Sequence, residues 1–127
     1  FSLSGLEQLS NVNTFLIKNN DALTALTNME DLGFISGSIT LRNNDALTSL
    51  NGLNWLPGAH IVKVLDNDVL TSLNGLDSLE SISGDLIIVN NDALLSIDGF
   101  GMLNLIENNI EISDNDMLLS INGMGAL

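Results

Sequence analysis

The stretch Leu86-Ile87-Ile88-Val89-Asn90-Asn91-Asp92-Ala93-Leu94 reads in two halves. Leu86 and Ile88 alternate with Ile87 and Val89, a period of two that predicts a strand. The polar run after it predicts a bend. Leu94 then opens an apolar series, Leu94, Ile97, Phe100, Leu103 and Ile106, at every third position. In isolation that spacing would suit a helix. Gly99, Asn104 and Asn108 lie between these residues, however, and they predict a chain that turns corners with its apolar side chains inward.

The same frame recurs. Asn-Asp stands at Asn20-Asp21, Asn44-Asp45, Asn67-Asp68, Asn91-Asp92 and Asn115-Asp116, with spacings of 24, 23, 24 and 24 residues. A fixed period of about 20 to 50 residues marks a solenoid or an array. Phe15 and Ile17, Ile39 and Leu41, Val62 and Val64, and Ile110 and Ile112 precede the Asn of the other turns. The next inward column is Leu23, Leu47, Leu70, Leu94 and Leu118. Then come Leu26, Leu50, Leu73, Ile97 and Ile121, followed by Met29, Leu53, Leu76, Phe100 and Met124. The expected fold is all-β: a solenoid of about five leucine-rich turns of 23–24 residues, forming one domain over residues 1–127. No turn can bury its apolar face alone, so neighbouring turns, about 4.8 Å apart, stabilise one another.

The polar columns have structural work to do. Asn20, Asn44, Asn67, Asn91 and Asn115 follow the strand where the chain turns inward. There a side-chain amide can bond the backbone of its own bend and of the next turn. Gly52, Gly75, Gly99 and Gly123 form a second corner, with Asn28 in the first turn. Asn tolerates positive φ best after Gly, so a left-handed bend is expected along this column. Gly75→Ala should therefore destabilise.

Composition narrows the function classes. Three basic residues against sixteen acidic ones give a net charge of −13. Nucleic acid and anionic membranes share that sign and are poor partners. The charge suits an extracellular, saline or calcium-rich setting. There is no Cys, so no disulfide and no thiolate chemistry. No apolar run approaches the roughly 18 residues of a membrane span, so no membrane insertion is expected. The first residue is Phe1 rather than Met, which points to a processed product or an excised piece.

Leu86, Ile88, Asn91 and Leu94 match the pattern L-x-L-x-x-N-x-x-L, and the chain resembles the leucine-rich repeat. The fuller frame from Leu86 through Gly99, then Phe100, Leu103 and Ile106, is similar to the receptor L-domain variety found in receptor ectodomains and bacterial surface proteins. The resemblance covers essentially the whole chain. It implies a right-handed β-solenoid with a short parallel sheet on one side and a binding site on that sheet's outer face. End caps and disulfides of a complete L-domain are not recognisable here.

The outward strand positions are Leu16 and Lys18, Thr40 and Arg42, Lys63 and Leu65, Ile87 and Val89, and Glu111 and Ser113. All three basic residues fall on this face. Either they offset acidic neighbours, or the mixed basic and apolar patch of Leu16, Lys18, Thr40, Arg42, Lys63, Leu65, Ile87 and Val89 is an interface. Its complement is an acidic protein partner or another copy's aspartates. The Asp column at 21, 45, 68, 92 and 116 repels itself by roughly 1 kcal/mol per neighbouring pair even in water. Each carboxylate is expected to cap its own turn; the alternative is calcium, with Asp66 and Asp114 beside the column. The turn between residues 53 and 62, one residue short and holding Trp55, Pro57 and His60, is either a bulged loop or a recognition loop anchored by Trp55.

Catalytic signals are sparse. His60 is the only His, with no Cys and no His-paired nucleophile in sight, and zinc-type clusters are excluded by the same counts. No phosphate-binding glycine loop occurs. An enzyme is not expected. Both ends stand in the same phase of the repeat without polar caps. The chain is then part of a longer array, or Leu6 and Leu9 stack on Met124 and Leu127 of another copy. The expected function is a non-enzymatic recognition or adhesion module, extracellular or at the cell surface. The alternative is a surface filament built by head-to-tail stacking.

Overall fold

The structure, a computed structural model, describes residues 3–29 and 31–127. Ten short strands follow in chain order: β1 Asn11–Val12, β2 Phe15–Lys18, β3 Phe34–Ile35, β4 Ser38–Arg42, β5 Gly58–Ala59, β6 Ile61–Leu65, β7 Ser81–Ile82, β8 Leu86–Val89, β9 Leu105–Ile106 and β10 Ile110–Ser113. Single 3-10 turns at Asp98–Phe100 and Asn122–Met124 are the only helical pieces among the described residues. The even-numbered strands form one parallel sheet in the order β10-β8-β6-β4-β2. Every rung joins residues 23 or 24 apart, as in Ile39↔Val62 and Val64↔Ile88. The fold is a β-solenoid with turns of about 24 residues, as the repeat predicts.

The odd-numbered strands make a second parallel wall that the sequence reading did not foresee. Each is two residues long, too short for alternation to show. This wall is split into β1-β3 and β5-β7-β9, and two ladder bonds are missing at the break, one at Pro57 and one at His60, whose N–H turns to the Gly37 carbonyl and not to that of Ile35. Gly33 N–H donates to Ser10 C=O at 2.8 Å, Glu80 N–H to Pro57 C=O at 2.9 Å, and Asn104 N–H to Glu80 C=O at 3.0 Å. Pro57 has no N–H to give Gly33 in the same ladder. The missing residue of the short turn lies at the next corner. There His60 N–H and Ile61 N–H both reach the Gly37 carbonyl, at 2.9 and 3.5 Å.

The core is the stack of inward columns. Ile39, Val62, Leu86, Leu47, Leu50, Leu73, Leu94 and Ile97 are fully buried. Each such side chain contributes about 1.5–3 kcal/mol by leaving water. The last turn has one neighbour only, and Ile121 is 62% exposed where Ile97 is 0%. Burial here comes from the adjacent turn, as nearest-neighbour stacking requires.

Two columns of left-handed bends shape each turn. One closes the strand: Asn19, Asn43, Asp66, Asn90 and Asp114 all have φ between 51 and 59°. Asn and Asp tolerate that region, so the doubled Asn-Asn or Asp-Asn is a turn signal that sequence reading passed over. The other is the expected glycine corner, where Asn28, Gly52 and Gly75 have φ of 72, 118 and 116°. Gly99 and Gly123 depart from expectation. They lie in the 3-10 turns without positive φ.

Candidate interaction face

The outer face of the five-stranded sheet carries two rows of side chains in register. One row is Leu16, Thr40, Lys63, Ile87, Glu111; the other is Lys18, Arg42, Leu65, Val89, Ser113. Strand alternation turns these outward because Phe15, Ile39, Leu41, Val62, Val64, Leu86 and Ile88 are held in the core. Leu16 is 49% exposed, and Lys18 and Arg42 are exposed. Lys63, Leu65, Ile87 and Val89 are half-buried by their neighbours. The structure thus places all eight candidate residues on one surface, basic toward β2 and apolar toward β8.

The charges are unevenly matched. Lys18 and Arg42 sit side by side in register, about 4.8 Å apart at the backbone. Arg42 Nε bonds Asp66 Oδ2 at 2.9 Å, with side chains 55% and 30% exposed. An ion pair that open contributes about 1 kcal/mol or less. Asp66 is also held by Asn90 Nδ2 at 3.1 Å. It is the one salt bridge among the described residues, so Lys18 has no carboxylate of its own.

Asp85 lies at the entry to β8. Its Oδ1 accepts the Asn109 backbone N–H at 3.1 Å and Asn109 Nδ2 at 3.0 Å. Those bonds, first the backbone one, hold its carboxyl below the ordinary range, aided weakly by Lys63 and His60. A depressed folded pKa stabilises above the unfolded value and is lost as pH falls through the folded one. Asp85 should therefore titrate below about pH 3.9, the ordinary value, and its contribution should vanish only in that acidic range. Carboxyl-carbon NMR titration checks this; a midpoint at or above the ordinary value would contradict it.

The Asp column is not a set of caps. Asp21, Asp45, Asp68, Asp92 and Asp116 are exposed, and their carboxylates make no hydrogen bond among the described residues. The bends are closed by backbone bonds instead, such as Leu47 N–H to Asn44 C=O at 2.9 Å and Leu70 N–H to Asn67 C=O at 3.1 Å. Solvent and salt screen the repulsion. Among the described residues, no three acidic or histidine side chains converge on a point where calcium could sit.

The Asn column runs through the body as a ladder. Asn44 donates from its backbone N–H and from Nδ2 to Asn67 Oδ1, both at 3.2 Å. Asn67 does the same to Asn91 at 3.2 Å, and Asn91 to Asn115 at 3.0 and 3.1 Å. Asn20 starts the series on Asn44 at 3.3 and 3.2 Å.

Trp55 is half-buried against the core, with Nε1 donating to Gly52 C=O at 2.8 Å. It staples its own corner. His60 does have a nucleophile beside it, contrary to expectation: Nδ1 lies 3.0 Å from Ser83 Oγ. The Ser83 residue stands 23 positions away and comes alongside through turn stacking, so spacing could not show it. The pair edges a shallow hollow of about 160 Å³ with Phe34, Gly58, Ala59 and Ser81. No third side chain orients the imidazole among the described residues. Leu6 and Leu9 lie at one end of the stack and Met124 and Leu127 at the other. Leu9 and Met124 pack on the core, while Leu6 and Leu127 are exposed. No helix among the described residues is long and apolar enough to cross a membrane. No family model, curated protein or solved structure matches the chain.

Proposed function

We propose that this chain is a non-enzymatic recognition or adhesion module, extracellular or at the cell surface, that binds an acidic protein partner through the outer face of its five-stranded sheet. The reading takes the repeat as leucine-rich and receptor L-domain-like. The observation that carries it is the basic row end of Lys18 beside Arg42, next to Lys63, on an otherwise acidic molecule. Half-buried Leu65, Ile87 and Val89 continue the same surface. Basic groups would steer an acidic chain in, and the apolar groups would hold it. Poly-glutamate is the simplest probe of that surface. The triple change Lys18→Glu, Arg42→Glu, Lys63→Glu should cut its binding at least tenfold, about 1.4 kcal/mol, with the circular dichroism spectrum unchanged. Equal binding by the folded triple variant would sink the reading.

A filament assembled by head-to-tail stacking is supported by a separate observation, the ladder's polarity. Asn115 has no acceptor for its backbone N–H, and Asn20 Oδ1 has no donor, among the described residues. A second copy, or a further repeat of the same chain, would join the two. In a filament, Leu6→Lys with Met124→Lys should reduce light-scattering mass to a monomer. Unchanged assemblies would exclude stacking through these ends.

A further inference from the structure

The glycine corner is built in two ways, and the difference lies two residues further on. Gly5 N–H donates to Glu7 Oε2 at 2.8 Å, Gly52 N–H to Asn54 Oδ1 at 3.0 Å, and Gly75 N–H to Asp77 Oδ2 at 2.7 Å. All three glycines have positive φ. Gly99 and Gly123 are followed at that position by Gly101 and Gly125, which have no side chain to accept. Those two corners fold as 3-10 turns instead.

Three of the glycines that line this column follow an asparagine: Asn51-Gly52, Asn74-Gly75 and Asn122-Gly123. All three asparagines are exposed, so exposure does not distinguish them. The state of the glycine N–H does. At Gly52 and Gly75 it is held by the acceptor two residues on; at Gly123 it has no partner among the described residues.

We infer that Asn122 is the chain's site of spontaneous deamidation to aspartate and isoaspartate, and that the side chains of Asn54 and Asp77 protect Asn51 and Asn74 from the same reaction. The Gly123 backbone nitrogen loses its proton to solvent base and attacks Cγ of Asn122. A new N–C bond closes a five-membered succinimide. The Cγ–Nδ2 bond breaks, and the nitrogen leaves as ammonia after taking a proton from water. Water then opens the ring at the side-chain carbonyl, giving aspartate, or at the main-chain carbonyl, giving isoaspartate. Glycine favours ring closure because it has no Cβ to crowd the attacking nitrogen. A held N–H must first break its hydrogen bond, and that lowers the reactive population by about tenfold.

The product matters to this fold. Isoaspartate adds a methylene to the backbone beside Gly123, which packs on the Ile97 carbonyl of the preceding turn. The spacing that keeps neighbouring turns in register is lost there.

The test is to age the intact protein at mildly alkaline pH and body temperature, then map isoaspartate by electron-transfer mass spectrometry. Asn122 should convert about tenfold faster than Asn51 or Asn74, in line with one broken hydrogen bond. Gly125→Asp supplies the missing acceptor where a Cβ meets nothing closer than the Asn122 carbonyl at 3.8 Å; it should slow Asn122 to the rate of Asn74. Asp77→Gly should speed Asn74 in turn. Equal rates at the three sites, or a rate at Asn122 unmoved by Gly125→Asp, would overturn the assignment.

Discussion

Gly75→Ala is expected to lower the unfolding free energy by about 3–5 kcal/mol, and so the melting temperature by roughly 10 °C or more. Two causes act together. Gly75 has φ of 116°, where an L side chain is strained by about 1–2 kcal/mol. Its Cβ would also be driven into the carbonyl of Leu50 and the amide of Asn51. Those are backbone atoms of the preceding turn and have no rotamer to relieve them. They can yield only if the two turns part, which exposes the leucines between them. Gly99→Ala separates the two causes: φ there is not positive, yet its Cβ meets the carbonyl of Leu73 in the same way. It should cost less than Gly75→Ala, by the strain alone. Gly101→Ala is the control, since its nearest atom is Asp98 O at 4.0 Å. Its cost should stay within about 0.5 kcal/mol. Urea unfolding followed by circular dichroism reads all three. Equal losses at Gly75 and Gly101 would dismiss the stacking argument.

The close approach behind that prediction explains why so much of the fold was legible. Residues 23 or 24 apart meet in register, so a column in the sequence is a column in space. Leu47, Leu70 and Leu94, or Asn44, Asn67 and Asn91, face one buried environment three times over, and the repetition identifies it. The second wall was not legible because Phe34–Ile35, Ser81–Ile82 and their equivalents are too short to alternate. The glycine column was half legible. Its positive φ holds where Glu7, Asn54 or Asp77 can accept the glycine N–H, and fails beside Gly101 and Gly125. The column predicted a corner, while the residue two positions on chose its geometry.

The candidate face divides along the same line. Strand parity alone put Lys18, Arg42 and Lys63 outward, so their common surface could be read in advance. The pairing of Arg42 with Asp66 could not. It depends on Asp66 taking φ of 53° at the strand end, which swings its carboxylate to within 2.9 Å of the neighbouring turn's guanidinium. The Asp21 to Asp116 column shows the opposite error. Its regularity suggested a bonded role, but regularity also arises when a position only needs to be polar and outside. A repeated residue is informative about its environment, and about a bond only where the environment is buried.

Asn67 meets that condition, and Asn67→Ala should cost about 4 kcal/mol. The side chain is fully buried. Its Nδ2 lies 3.1 Å from Leu41 O, 2.9 Å from Leu65 O and 3.2 Å from Asn91 Oδ1, and its Oδ1 receives both donors of Asn44. Truncation strips the Asn44 backbone N–H of its acceptor and the inner carbonyls of a donor, at a site closed to bulk solvent. Each buried orphan costs about 1–3 kcal/mol. Asn20→Ala removes the same side chain from the end of the ladder, where it is exposed and water can substitute, so about 1 kcal/mol is expected. A ladder of amides also polarises along its length, which makes neighbouring rungs interdependent. Asn44→Ala and Asn67→Ala should therefore couple by about 1–2 kcal/mol in a double-mutant cycle, while Asn20→Ala and Asn91→Ala, separated by two rungs, should add. Denaturant unfolding of the single and double variants gives both quantities. If Asn67→Ala cost no more than Asn20→Ala, the buried amides would be passengers of the leucine stack and not its polar spine.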